Sequence, residues 1–190
     1  MGILDDAERL EFVDAAAWRA WLEKHHSSST GVFVVRARSG AAHELIGYDD
    51  AVRQALCFGW VDGTVKPIDA EKIGIWFSPR KTSSGWAATN KQRILELEAS
   101  GEMSAAGRRA IEVAKGNGSW ELLDGPEAGI EPPELTLALD VVPAARANWD
   151  AFPPSTKKLG LSLIAMARRP ETRTARVAKI VADAAEGRRP

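Results

Sequence analysis

Strand-forming sequence in this chain is confined to the part before Trp86, and everything after it carries helical spacing. The run GVFVVRAR (residues 31–38) is dense in β-branched residues and reads as a strand. Two further short strands are expected near Trp60–Ile68 and Ile73–Ser78, with Pro67-Ile68-Asp69-Ala70-Glu71 turning the chain between them as a hairpin. Helices flank these runs. One is expected from Asp14, a suitable N-cap, to His25, with Trp18, Trp21 and Leu22 on one apolar face. A second runs from about Asp49 to Phe58 and ends at Gly59. Beyond Trp86, Thr89 and Gln92 suggest a capping box before KQRILELEAS, and Ser104 can cap SAAGRRAIEVAK. Longer helices are expected near Ser155–Arg168 and Pro170–Glu186, broken by Pro170. The fold class is therefore α+β: a small antiparallel sheet of about three strands with mostly C-terminal helices.

Composition narrows the class further. With 45% apolar and 27% charged residues in 190, the chain can bury one core, or one core with a helical appendage. The turn-rich acidic stretch 121–133 is the best internal boundary. It separates an α+β core over residues 1–120, holding the tryptophan- and arginine-rich segment, from a helical region over 121–190 expected to pack on it as one unit. Charge is uneven: nine Lys/Arg against three Asp/Glu over 155–190, but one against seven over 121–150. Such blocks can satisfy one another. The net charge of −1 and the scarcity of aromatics in the basic stretch mean that nucleic acid is not an expected partner. A single cysteine, Cys57 between Leu56 and Phe58, excludes an internal disulfide and reads as a small buried hydrophobe. His25, His26 and His43 lack ligand spacing, so neither a metal nor another cofactor is expected. The longest apolar run, LGLSLIAMA, is too short for a membrane span. The opening MGILDDAERLEF has no leader pattern, and Asp6 breaks the myristoylation pattern, so a cytoplasmic protein is expected.

Phosphate-loop, dinucleotide, zinc-protease and nucleophile-elbow motifs are all absent from the sequence. SxxK occurs twice, at Ser78 and Ser155, without its companion motifs, and carries no weight. The signal concentrates elsewhere. Of seven tryptophans, three lie between residues 60 and 86, in ALCFGWVDG and IWFSPRKTSSGWAATN. These segments bring Trp60, Asp62, Arg80, Lys81, Ser84, Trp86 and Asn90 into one neighbourhood. A helix N-terminus after the PRKTSSG loop would attract an anion, with Arg80 and Lys81 adding charge. The alternative is structural: buried tryptophans, serines organising a turn, and Arg80 paired with Asp62. In the last helix Val177, Ile180, Val181 and Ala184 form the apolar stripe, and Arg173 falls on the same stripe while Arg176 and Lys179 point away. Arg173 must snorkel or find an acceptor; the sharper expectation is a clamp on the Asp62–Arg80 neighbourhood.

ALCFGWVDG, FSPRKTSSGWAATN, GEMSAAGRRAIEVAKGNGSW and the terminal ARRPETRTARVAKIV, in this order from about Phe12 to Gly187, resemble the YdeI/OmpD-associated, or bacteriocin-protection, family. The matching positions include Gly59-Trp60, Asp62-Gly63, Pro79-Arg80, Ser84, Trp86, Asn90, Gly107, Lys115, Gly118, Trp120 and Thr172-Arg173. Departures fall at Arg36-Ala37-Arg38, where the family shows a lysine pair, and at Ala87, where it often shows serine. The resemblance implies a bacterial cytoplasmic protein linked to stress or bacteriocin protection, and implies no reaction. Two functions follow from the residues. One is a non-enzymatic protein binding a small anionic or aromatic ligand, or a protein partner, through Trp60, Asp62, Arg80, Lys81, Ser84, Trp86, Asn90 and Arg173. The other is an enzyme with Asp62 as catalytic acid or base and Arg80 stabilising an anion.

Overall fold

The computed structural model describes residues 7–38 and 44–190, and divides the chain into two compact units. His43 and Asp6 lie outside the described residues. The first unit comprises the chain up to Thr82 together with Thr89–Ala114; the second comprises Ser83–Ala88 and Lys115–Pro190. The class is α+β, as the segregation of strand-like sequence predicts.

In the first unit, β1 (Arg9–Glu11), β2 (Val32–Ala37), β3 (Trp60–Pro67) and β4 (Lys72–Pro79) form one sheet in the order β1-β2-β4-β3. The hairpin β3–β4 and the β2–β4 pair are antiparallel, with Phe33 opposite Trp76 and Asp62 opposite Phe77. The expected three antiparallel strands need one correction: β1 adds a fourth, parallel to β2. Three residues with two exposed carry too little alternation to announce a strand, and their charged side chains suit a sheet edge. The hairpin register shifts between Asp62 and Val65, a bulge immediately after the aspartate.

The helix α1 (Ala15–His25) begins where Asp14 accepts the Ala17 N–H at 2.8 Å. Its Trp18 is fully buried and donates to the Ala51 carbonyl of α2 (Tyr48–Cys57) at 3.1 Å. The same indole meets Trp60 at 6.3 Å and Phe77 at 5.7 Å, edge-on to both, so α1 seals the sheet face that also carries Val32 and Val34.

The helices α3 (Ala88–Ala99) and α4 (Ala105–Gly116) follow. Ser104 caps α4 as expected: its Oγ accepts from the N–H of Ala106 at 3.2 Å and donates to the Cys57 carbonyl at 2.6 Å. Thr89 does not cap α3. It is the second residue of that helix, and Gln92 donates instead to Glu96. Gly107 faces the end of α2 so closely that a Cβ there would lie 2.3 Å from the Cys57 oxygen and 2.7 Å from Met103 Cε.

The second unit holds α5 (Asp124–Glu127), α6 (Pro133–Asp140), α7 (Pro143–Ala151), α8 (Pro154–Ala165) and α9 (Pro170–Ala185). The last four each begin on a proline, whose missing N–H costs nothing at that position. Leu135, Leu139, Trp149, Leu161, Ile164 and Ile180 form their core. One carboxylate ties its edge. Glu131 accepts both Arg146 terminal nitrogens and the Trp149 indole N–H, each at 2.8 Å, and the Thr136 hydroxyl at 3.3 Å. The Arg146 fork is the main reason its carboxyl is held down to about 2, against the opposing effect of burial. The segment Ser83–Ala88 belongs to this unit: Trp86 packs on Trp120 at 5.1 Å, and Arg168 donates to the Ser83 carbonyl at 2.7 Å.

Gly107→Ala is expected to destabilise the protein by about 3 kcal/mol in urea denaturation, because backbone, not a flexible tip, occupies the space. Glu131 binds its proton more weakly folded than unfolded, so its contribution is complete above its ordinary value of 4.5 and is lost as pH falls towards about 2. Glu131→Gln should cost about 2 kcal/mol at neutral pH and flatten acid unfolding over that window, read by circular dichroism.

Candidate functional site

Asp62 does not stand alone. It lies where β3 enters its bulge, and the hydroxyl of Tyr48, the first residue of α2, donates to its Oδ2 at 2.8 Å. Arg80 follows β4 directly, its N–H donating to the Gly59 carbonyl at 3.0 Å. The Arg80 guanidinium is pushed down to about 10 by burial, an effect partly offset by the Asp62 charge. Arg36, on the outer half of β2, places its guanidinium 5.9 Å from the centre of the Tyr48 ring, and its buried Nε has no hydrogen-bond partner among the described residues. Two arginines thus gather about one phenol–carboxylate pair.

A charged lattice surrounds Tyr48. Its neighbour Asp49 accepts from Arg53 at 2.6 Å and Arg93 at 2.8 Å, and Arg93 also donates to Asn90 Oδ1 at 2.9 Å. Asn90 therefore fixes Arg93 rather than facing outward alone. Burial first, and the Asp62 hydrogen bond second, push the Tyr48 hydroxyl up to about 12, while Arg93 pulls the other way. Tyr48 is consequently a proton donor over the whole physiological range, and Asp62 an acceptor already engaged with it. Nucleophile or proton-transfer chemistry at Tyr48 is disfavoured; holding an oxyanion beside arginines is what the arrangement can do.

The other residues singled out in the sequence distribute differently. Trp60 is 1% exposed and donates its indole N–H to the His26 carbonyl at 3.1 Å; Trp86 is equally buried, in the second unit. Both are core residues. Lys81 is exposed in the first unit, and Ser84 is half-buried in the second. The helix terminus expected to attract an anion has found one inside the protein: Glu127 accepts the Ala88 N–H at 3.2 Å and pairs with Lys158 at 2.5 Å. Arg173, in the second unit, donates to Glu134 and to the Ile164 carbonyl, so it meets acceptors there. Arg176 does not point away; it folds back onto the Leu163 carbonyl. Cys57 is buried, which pushes its thiol up. Among the described residues no group of three or more His, Cys, Asp or Glu could hold a metal ion, and no helix is long and apolar enough to cross a membrane.

Tyr48 and Arg36 were not among the residues picked out as a site. Tyr48 is the only tyrosine of the chain, a weak compositional signal, and its pairing with Asp62 becomes visible only once α2 lies against the sheet.

These features define an α+β protein whose sheet unit carries a half-buried cluster of two arginines, a carboxylate and a phenol, and whose C-terminal residues form a helical unit. Residues 10–110 match the family model described as a domain of unknown function, DUF8412, and the chain belongs to that family. Residues 129–187 match the model described as bacteriocin-protection, YdeI or OmpD-associated, so the C-terminal part is of that type. The resemblance read across the whole chain is thus matched by that model over its last third, with Arg173 inside the match and Asp62 and Arg80 in the other segment. No curated protein and no solved structure matches the chain.

Because the chain has one tyrosine, tyrosinate absorbance reports Tyr48 alone. Its titration midpoint is expected near 12 in the native protein. Asp62→Asn should lower it towards the ordinary value without reaching it, since burial remains.

Proposed function

We propose that this is a cytoplasmic bacterial binding protein, linked to stress or bacteriocin protection, that takes a small anionic ligand at Arg36 and Arg80 beside the Tyr48–Asp62 pair. The observation that carries the reading is the buried Arg36 Nε, which has no hydrogen-bond partner among the described residues, on a guanidinium 5.9 Å from the centre of the ring whose hydroxyl Asp62 holds. A buried donor left unmade costs about 1–3 kcal/mol, and an anion held at this cluster of cations would satisfy it. Arg80 supports it: burial makes its charged form costly, and an anion beside it would offset that cost. Tyr48, protonated throughout the physiological range, spends its one O–H on Asp62 and so holds that carboxylate in place beside the arginines. The family match over residues 129–187 supports the link to bacteriocin protection.

The test is a thermal-shift series with orthophosphate, nucleotides and phosphorylated sugars. An anion of the right class is expected to stabilise the native protein by about 2.7 kcal/mol at about a hundredfold excess over Kd. Arg36→Ala and Arg80→Ala should abolish the shift, while Asp62→Asn should retain or enlarge it by removing a competing charge. If the shift disappears in Asp62→Asn and persists in both arginine variants, or if no anion stabilises the native protein, the reading fails. Consumption of the bound anion by the native protein, absent in Asp62→Asn despite retained binding, would mean catalysis instead.

A further inference from the structure

Arg173 stands between two grooves of the C-terminal unit. One, of about 420 Å³, runs between α6 and α9 and is lined by Ala138, Thr174, Val177 and Ala178. The other, of about 230 Å³, is lined by Pro126, Ile130, Leu161 and Ile164. Arg173 lines both, and Glu134 lines the first. The larger groove alone reaches the size of an ordinary small-molecule site; the smaller one extends it past the arginine. Their surfaces are chiefly carbon. Leu137 and Val141, 68% and 80% exposed, share the α6 face with Glu134 and Ala138 and add apolar surface beside the larger groove.

The head-group chemistry sits at Arg173. Its Nε donates to Glu134 and its Nη1 to the Ile164 carbonyl at 3.2 Å, while Nη2 makes no hydrogen bond among the described residues. Glu134 holds the guanidinium from one side, so the cation is fixed in place, and one donor nitrogen is left over on a side chain that lines both grooves. A fixed guanidinium donor flanked by apolar troughs matches a molecule with an anionic end and a hydrocarbon tail.

We infer that this unit carries a second binding site, for a small carboxylate amphiphile: the head group on Arg173 Nη2 and the tail along the α6–α9 groove. The tail gains from burial on Ala138, Val177 and Ala178, which a neutral tail does equally. Preference for the anion comes from Arg173 and is opposed by the charge of Glu134. The two residues therefore act with opposite sign.

Calorimetric titration of the full chain with decanoate, below its aggregation threshold, and with decanol tests this. Saturable decanoate binding is expected. Arg173→Gln should weaken decanoate about tenfold and leave decanol unchanged. Glu134→Gln should tighten decanoate and leave decanol unchanged, which keeps the test decisive if the arginine variant does not fold. Ala178→Trp, filling the groove from an exposed position, should abolish both. No saturable binding by the native chain overturns the proposal. So does undiminished binding by Ala178→Trp, or equal effects of the charge variants on decanoate and decanol. A change in oligomeric state on Ala178→Trp without any amphiphile binding overturns it too, in favour of an interface between copies.

Discussion

The carbonyl oxygen of Cys57, at the last residue of α2, receives both the N–H and the hydroxyl of Ser104 and has Gly107 against it. At this one acceptor the end of one helix and the start of another are joined through Ser104, with no side chain on Gly107 to hold them apart. An α2 C-terminus would otherwise leave its carbonyls to solvent, and α4 would need a cap from elsewhere. Gly59, with φ +72°, lets the chain leave that junction directly into β3, because a side chain there would strike Ala110. Through this joint the direction of α2 is set at its far end, and with it the position of Tyr48 at its beginning.

The placement of Tyr48 has electrostatic consequences that spread through the sheet unit. A phenol brought to Asp62 gives that carboxylate a neutral partner, so the negative charge stays available to Arg80. Arg36 then covers the ring face. Each member compensates part of the desolvation of another, and a network of this kind behaves as a unit. Around it Asp49, Arg53, Arg93 and Glu96 form an exposed lattice that is individually weak but fixes where α2 and α3 begin and pack.

What the sequence made legible follows the range of the interactions involved. Asp14, Ser104 and the four helix-starting prolines act on residues within one turn, and the helices they begin are readable without a fold. The sheet order was half legible: β2, β3 and β4 have long β-branched or alternating runs, whereas β1 is defined by its neighbour alone. The start of α3 was misread because its first N–H is satisfied by Glu127, distant in sequence, rather than by Thr89. At the candidate site, Asp62 and Arg80 were visible as charges in an apolar stretch. Composition could not distinguish a tryptophan presented to a ligand from one closing a core, and Trp60 and Trp86 are of the second kind. Tyr48 and Arg36 come to Asp62 only through α2 and β2.

The six residues Ser83–Ala88 belong to the helical unit although they lie between two stretches of the sheet unit. They bring Trp86 to Trp120 and the Ala88 N–H to Glu127. No single cut of the polypeptide therefore yields the helical unit both entire and free of residues of the other: a fragment starting at Lys115 lacks an indole from its interior and leaves a carboxylate without its backbone donor. The C-terminal family segment, residues 129–187, is shorter than the folded body it occupies. Such a segment is not portable by itself; a chain that inherits it must also inherit, far upstream, a short strap with a tryptophan in it.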